Sequence, residues 1–466
     1  MRCRRMLSNP AQSNQKAIKV AIVGHTNTGK TSLVRTLLRD DRFGNIEDAA
    51  GTTRHVSKTT ILAKDEEVLT LYDTPGFEDS SALLQTLEEF DKAHKVESPS
   101  VLLHEFVSQV DKFPDFDQEI KVLRRALNCD VLLYIIDVRE PLLGKYRDEV
   151  AILSKAGKPI IPVFNFIAGQ EESLARWREQ MSQFNLHAAL EFDTVAFEFE
   201  AEKRLYQKLQ SLLEQHYQAL QQLIDYRQEV WQTLMKAAAR RVFRLLAEVT
   251  CYRQQVADDG SDSAAKINEM QAFVRKAERR TVKDLLNMFE FSQLDLDLQQ
   301  LPVHDGAWEL DIFAAGALKE FGLSAGATAL KGAAAGAGID LMVGGLSMGA
   351  GAALGGLLGA GWATARRYKQ ELNAALRGNK WLCADDDTIA LLYLRQKQLL
   401  HTLTQRGHAS QEQLRVANSR SLELPAKWSK LINSLRQHPE WRQAPANSED
   451  YRALQDELVG WLVEEV

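Results

Sequence analysis

The chain is poor in cysteine and carries no excess of positive charge. Its four cysteines, Cys3, Cys129, Cys251 and Cys383, stand far apart among 466 residues and form no CxxC pair. That excludes a disulfide framework and a cysteine zinc site, and it fits a reducing compartment. Lys and Arg number 57 against 63 Asp and Glu, a formal charge of −6. A chain built mainly to hold nucleic acid would carry the opposite sign, so nucleic acid is not an expected partner beyond local basic patches. The histidines show no metal-ligand spacing. Residues 1–16 are polar and basic without an apolar run, so they read as a flexible tail and not as a secretory leader. No repeat of fixed period occurs. With 45% hydrophobic and 26% charged residues, the composition is that of a globular protein long enough for two or three domains.

What is present begins with short apolar runs. Ile18–Gly24 reads as a buried strand ending in a loop, and Lys30 to about Leu38 as a helix. Ser57–Leu62 and Val68–Tyr72 are β-rich and separated by the polar residues 64–67, which suits a hairpin. Val131–Val138 and Pro159–Phe166 read as further buried strands, and Phe192–Phe199 as the last. Helical patterns lie between them, which predicts an α/β domain with a mostly parallel sheet over residues 17–200.

Within that domain, Gly24-His25-Thr26-Asn27-Thr28-Gly29-Lys30-Thr31 fits GxxxxGK[ST], with Ser32 following. The spacing has a physical reason. Glycines let backbone N–H groups curl around phosphates, Lys30 reaches the β and γ oxygens, and Thr31 offers a hydroxyl to Mg²⁺ at a helix N-terminus. Asp73-Thr74-Pro75-Gly76 follows the next strand. A carboxylate there can hold Mg²⁺ through water, and the Gly76 N–H can sense a γ-phosphate. Between the two lies Gly51-Thr52-Thr53-Arg54-His55, where a threonine could complete the Mg²⁺ shell.

Together these three motifs resemble the TrmE–Era–EngA–septin class of GTPases, over about Ile18 to Phe197. The resemblance implies GTP and GDP as ligands, Thr53 as the likelier Mg²⁺ ligand of the threonine pair, and Lys30, Thr53 and Gly76 as the catalytic set. Asn27 stands where potassium-stimulated members carry a P-loop asparagine, which implies K⁺ near the phosphates. Phe77 stands where Ras-like proteins place a water-orienting glutamine, so slow intrinsic turnover is expected. One departure touches the base. The class reads guanine with Asn-Lys-x-Asp, and this chain has Asn165-Phe166-Ile167-Ala168. Asn165 is retained, whereas Ala168 offers no acceptor. Glu171 and Glu172 are the carboxylates nearest in sequence. The 54 residues from Phe77 to Asp130 exceed what a simple switch region needs, and their patterns at Leu83–Phe90 and Val101–Val110 suggest a helical insertion.

The second half changes character. Residues 201–300 contain no proline before Ser292 and read as a domain of long amphipathic helices, broken by a loop at 257–263. Residues 301–370 read as a Gly/Ala-rich apolar helical segment, and 371–466 as a helical C-terminal region. Leu341–Ala365 carries no charge. As a helix its 25 residues would run roughly 37 Å, enough for a bilayer core. Glycines four apart (Gly345 and Gly349; Gly351, Gly355 and Gly359) suit close helix packing. Trp362 and the basic residues after it suit an interfacial anchor. A tightly packed helical hairpin away from any membrane, and self-association, fit the same pattern. Basic clusters at Arg240, Arg241 and Arg244, and from Arg275 to Lys283, read first as solvated helix faces and then as contacts for anionic headgroups or RNA.

The whole architecture is similar to a bacterial family joining such a G domain to a C-terminal domain of unknown function. The sequence therefore predicts a GTP-hydrolysing switch that controls a helical domain. It is expected in the cytoplasm, with attachment at the inner membrane, a lipid or membrane-protein partner, and a homodimer left open. The alternatives are a membrane scaffold with regulatory nucleotide binding and an NTPase of relaxed base specificity.

Overall fold

The structure is a computed structural model. It describes residues 16–38, 56–192, 199–256, 262–289, 303–304, 307–314, 316–321, 339–343, 346–347, 380–405, 424–425, 427–443, 445 and 448–465. The chain divides into two compact units, the first ending at Val230 and the second beginning at Trp231.

In the first unit, strand β1 (Ile18–Gly24) leads into helix α1 (Lys30–Leu38). Strands β2 (Ser57–Ala63) and β3 (Glu66–Asp73) form a hairpin. Its tip residues Lys64 and Asp65 both have positive φ, which matches the right-handed twist of the strands. Helices α2 (Ser80–His94), α3 (Pro99–Ser108) and α4 (Asp117–Asn128) follow. Then come β4 (Val131–Asp137), α5 (Gly144–Ser154), β5 (Ile160–Asn165), α6 (Glu171–Gln183), β6 (Leu190–Glu191) and α7 (Phe199–Leu212). The sheet order is β2-β3-β1-β4-β5-β6, with β2 antiparallel to β3 and every other pair parallel. Burial of β1 and β4 on both faces explains their unbroken apolar runs. One core holds α2 to α5 against one side, through Leu83, Phe106, Leu123 and Tyr134. The other holds α1 and α7, through Leu33, Ile135 and Tyr206.

The expected insertion is helical. Asp79 caps α2 by accepting from the Ala82 N–H, and Ser98 caps α3 ahead of Pro99 at its first turn. The last strand differs from its expected position. It is the two-residue β6, Phe199 already belongs to α7, and residues 193–198 lie outside the described set. Acidic Glu200 and Glu202 in the first turn favour the helix there.

Helix α8 (Tyr217–Thr250) begins in the first unit, and its residues from Trp231 belong to the second. The second unit continues with β7 (Arg253–Val256), α9 (Ser263–Met288), a small hairpin of β8 (Val303–His304) and β9 (Ala307–Trp308), and α10 (Ala317–Glu320). After these come β10 (Ile339–Val343), β11 (Leu346–Ser347), β12 (Lys380–Ala384), α11 (Asp386–Gln405), α12 (Trp428–Gln437) and α13 (Glu449–Glu465). The unit is largely helical. Its core gathers Val242, Phe243, Leu391, Leu394, Leu435 and Leu458. Arg395 of α11, 1% exposed, pairs inside it with Glu278 through Nη1 and donates from Nη2 to the Leu310 carbonyl.

The Gly/Ala-rich stretch is helical at α10 but departs from the helical reading at residues 339–343 and 346–347. Strands β11-β10-β12-β7 form an antiparallel sheet, with β10 in register from Ile339↔Ala384 to Val343↔Lys380. The run Ile-Asp-Leu-Met-Val is bounded by glycines and has β-branched ends, so it favours a strand over a helix. The 25-residue helix read over Leu341–Ala365 is thus not formed at its start, and residues 348–379 lie outside the described set. Among the described residues, no helix is long and apolar enough to cross a membrane.

Candidate nucleotide-binding site

The site lies where β1 ends beside β3 and β4. Gly24 has φ 145°, and a Cβ there would sit 2.5 Å from the Ile135 carbonyl oxygen, so the turn out of β1 needs glycine. Asn27 (φ 64°, exposed) and Gly29 (φ 90°) then curl the backbone back toward α1. The loop is held from within. The Thr28 hydroxyl donates to the His25 carbonyl at 3.0 Å, and Lys30 Nζ donates to the carbonyls of His25 (2.6 Å) and Gly24 (3.3 Å).

It is also held from outside. Asn165, at the end of β5, donates from Nδ2 to the Thr28 carbonyl at 2.9 Å and accepts the Phe166 N–H on Oδ1. Thr26 donates to the Phe77 carbonyl at 3.2 Å, and the Phe77 N–H donates to the Gly24 carbonyl at 3.2 Å. Gly76 lies so close that a Cβ there would be 2.6 Å from the Thr26 N and Cα. Thr74 is buried and ties the end of β3 to β1 by donating to the Ile22 carbonyl at 2.7 Å, and Pro75 is buried beside it. Ser32 lies in the first turn of α1.

At the centre, the Thr31 hydroxyl donates to Asp73 Oδ2 at 2.7 Å. Asp73 is 2% exposed, and its Oδ1 is buried with no partner among the described residues. Burial raises the Asp73 carboxyl above its usual range, against the Thr31 hydrogen bond and the Lys30 charge. Burial lowers Lys30 to about 8, against the pull of Asp73 and Glu149. The arrangement offers a lysine charge and a hydroxyl–carboxylate pair with one unmet oxygen. Those donors suit a hard cation that takes its remaining ligands from phosphate and water. Among the described residues, no three or more His, Cys, Asp or Glu side chains gather in a group that could hold a metal ion alone.

Residues 19–166 match the family model described as a 50S ribosome-binding GTPase. Residues 178–462 match DUF3482, a domain of unknown function. That second match covers more than half of the chain. The chain belongs to the DUF3482 family. The N-terminal part of this DUF3482 protein is a GTPase domain homologous to Der and Era. It is 25% identical to GTPase Der of Stutzerimonas stutzeri (strain A1501) over 163 residues, 35% of this chain and 27% of that one. It is 27% identical to GTPase Era of Rickettsia akari (strain Hartford) over 177 residues, 35% of this chain and 59% of that one. The chain thus spans about a quarter of the length of its Der relatives. Among solved structures, Era in complex with MgGDPNP and nucleotides 1506–1542 of 16S ribosomal RNA is 22% identical, with a TM-score of 0.29, and the match covers 39% of this chain and 52% of that one.

In the DUF3482 protein the expected residues Gly24 to Ser32, Asp73 to Gly76 and Asn165 come together at one end of the sheet. Thr53 lies outside the described residues. Next to Asn165, Phe166 has φ 58° and carries the Arg139 guanidinium over its ring at 3.9 Å; Arg139 in turn pairs with Asp137 at 2.7 Å. Ala168, Glu171 and Glu172 are exposed.

Sequence reasoning missed a buried network behind the loop. Lys145 Nζ, which can only donate, meets His25 Nε2 at 2.9 Å, so the imidazole proton sits on Nδ1 and goes to Glu149 Oε1 at 2.8 Å. The other Glu149 oxygen accepts from the Tyr134 hydroxyl at 2.8 Å. Glu149 is fully buried on the face of α5 that also carries Tyr146, Val150 and Leu153. A carboxylate on an apolar helical stripe was the available signal.

Proposed function

We propose that the chain is a GTP-hydrolysing switch whose N-terminal domain controls the helical second unit. The observation carrying this reading is the Thr31–Asp73 pair beside Lys30, with one Asp73 oxygen buried and unmet among the described residues. Lys30 neutralises charge on the β and γ oxygens. Thr31 and Thr53 would ligate Mg²⁺, with Asp73 holding it through water, and the ion would supply charge neutralisation at the phosphates. Gly76, packed against Thr26, reports the γ-phosphate, and movement there reaches α2 through the adjoining Phe77 and Asp79. Asn27 would hold K⁺, which would supply a further positive charge beside the phosphates. Phe77 is fully buried and has no group to orient water, so intrinsic turnover is slow. The names of the Der and Era relatives support GTP as the substrate.

Ala168 favours a second reading, an NTPase of relaxed base specificity. A site lacking the carboxylate that reads guanine loses discrimination of roughly 10⁴-fold. The deciding experiment is equilibrium binding of GTP, GDP, ATP and ADP with Mg²⁺, in K⁺ and in Na⁺ buffers. A preference of at least about tenfold for guanine is expected from the first reading. Equal or tighter adenine binding overturns it, as does unchanged hydrolysis by a Lys30→Ala chain.

A further inference from the structure

The second unit holds a cleft of about 370 Å³ between α8 and α13. Its polar lining is dominated by Arg240, Arg241 and Arg244 of α8 and Arg452 of α13, while Ala237, Met288 and Pro445 give it apolar walls. The α8 positions follow from helical spacing. Ala238, Ala239, Val242 and Phe243 are buried in the core, which leaves 240, 241 and 244 along the adjoining edge. Tyr451, also in the lining, is buried on Phe243 and Trp441.

The charge there is not balanced from within. Asp284 binds Arg241 Nε at 2.6 Å, and Glu248, the nearby carboxylate on α8, is taken by Arg280 at 2.6 Å. Among the described residues Arg240 and Arg244 form no ion pair, and Arg452 Nε reaches only the Ser448 carbonyl at 3.4 Å. Arg241 Nη1 is buried with no partner among the described residues. Basic clusters on helices are usually solvated faces, but a solvated face does not bury an unmet guanidinium nitrogen. Four forked donors lining one small cleft suit the oxygens of a phosphoryl group.

We propose that this cleft is a second phosphoryl-binding site, for a small phosphorylated anion. Its volume falls within the range of small-ligand pockets. The apolar walls and Tyr451 suit a ligand with an organic body attached to its phosphate. The site is independent of the P-loop and of the nucleotide reading above.

The test uses the full chain carrying Lys30→Ala, which weakens the first phosphate site. Pyrophosphate and ADP are titrated calorimetrically at two salt concentrations. One site per chain is expected, weaker at high salt, and at least about tenfold weaker with Arg241→Gln added. Because Arg241→Gln also breaks the Asp284 contact, the exposed Arg240→Gln and Arg452→Gln are measured too. Each should weaken binding several-fold with an unchanged melting temperature. Tighter binding of ADP than of pyrophosphate identifies an organic phosphate as the source, and the reverse order identifies an inorganic one. No binding, binding indifferent to all three substitutions, or preferential binding of a long RNA oligomer with a salt slope above four released ions overturns the proposal.

Discussion

Raising the pH from 7 to 9 should discharge Lys30 in the nucleotide-free protein. Its ammonium is buried and lowered to about 8, with burial the largest cause. About nine-tenths of the chains then carry the charge at pH 7 and about one-tenth at pH 9. If phosphate oxygens need that charge, affinity for a non-hydrolysable GTP analogue falls about tenfold, or about 1.4 kcal/mol. Calorimetric titration at pH 7, 8 and 9 measures this. A Lys30→Arg chain stays charged throughout and shares any titration of the nucleotide, so its slope should be flatter. Stability of the free protein moves the other way. Between pH 8 and 10.5 the unfolded chain keeps a proton on Lys30 that the folded chain has lost. The unfolded state therefore binds more protons, and the Lys30 contribution to stability rises with pH by about 3 kcal/mol at most. Equal affinity at the three pH values would refute the reasoning, because Asp73 and Glu149 would then outweigh burial.

Five substitutions probe the remaining contacts. Asp73→Asn should lower Mg²⁺-dependent hydrolysis by about 100-fold or more in single-turnover assays, given the role of a metal at phosphoryl transfer; retention of the wild-type rate would remove Asp73 from the metal shell. Gly76→Ala cannot keep its place beside Thr26, so hydrolysis should drop about tenfold or more while GDP affinity changes less. Glu149→Ala strands both the His25 Nδ1–H and the Tyr134 hydroxyl, and urea unfolding should show a loss of about 2–4 kcal/mol. Tyr134→Phe should cost only about 1 kcal/mol, and equal losses would mean that Glu149 does not join the two. Ala168→Asp restores the missing acceptor and should shift the GTP-over-ATP preference toward guanine by about tenfold or more in competition binding.

How much of this was legible follows from how local each signal is. The phosphate loop is eight contiguous residues, and β1 is an unbroken apolar run, so both could be read directly. Thr31 and Asp73 are 42 residues apart, yet each belongs to a short motif that announces its chemistry. Glu149 belongs to no motif, and its partner His25 lies 124 residues away, so only its place on an apolar stripe hinted at burial. The sheet of the second unit was missed for a related reason. Its strands are two to five residues long, and β7 pairs with β12 across more than 120 residues, which no local periodicity records. β10 was obscured further by the glycines around it, which suggested close-packed helices. At β6, two residues of strand are too few to show an alternation.

The fastening of the phosphate loop has a consequence for what binding there costs. His25, Thr26, Thr28 and Lys30 are each secured by the protein's own groups. Ordering a loose segment costs roughly 1–2 kcal/mol per residue, and an incoming nucleotide would bear that cost at a slack loop. Here the protein's own hydrogen bonds bear part of that cost, which leaves less of it to be met by an arriving phosphate group.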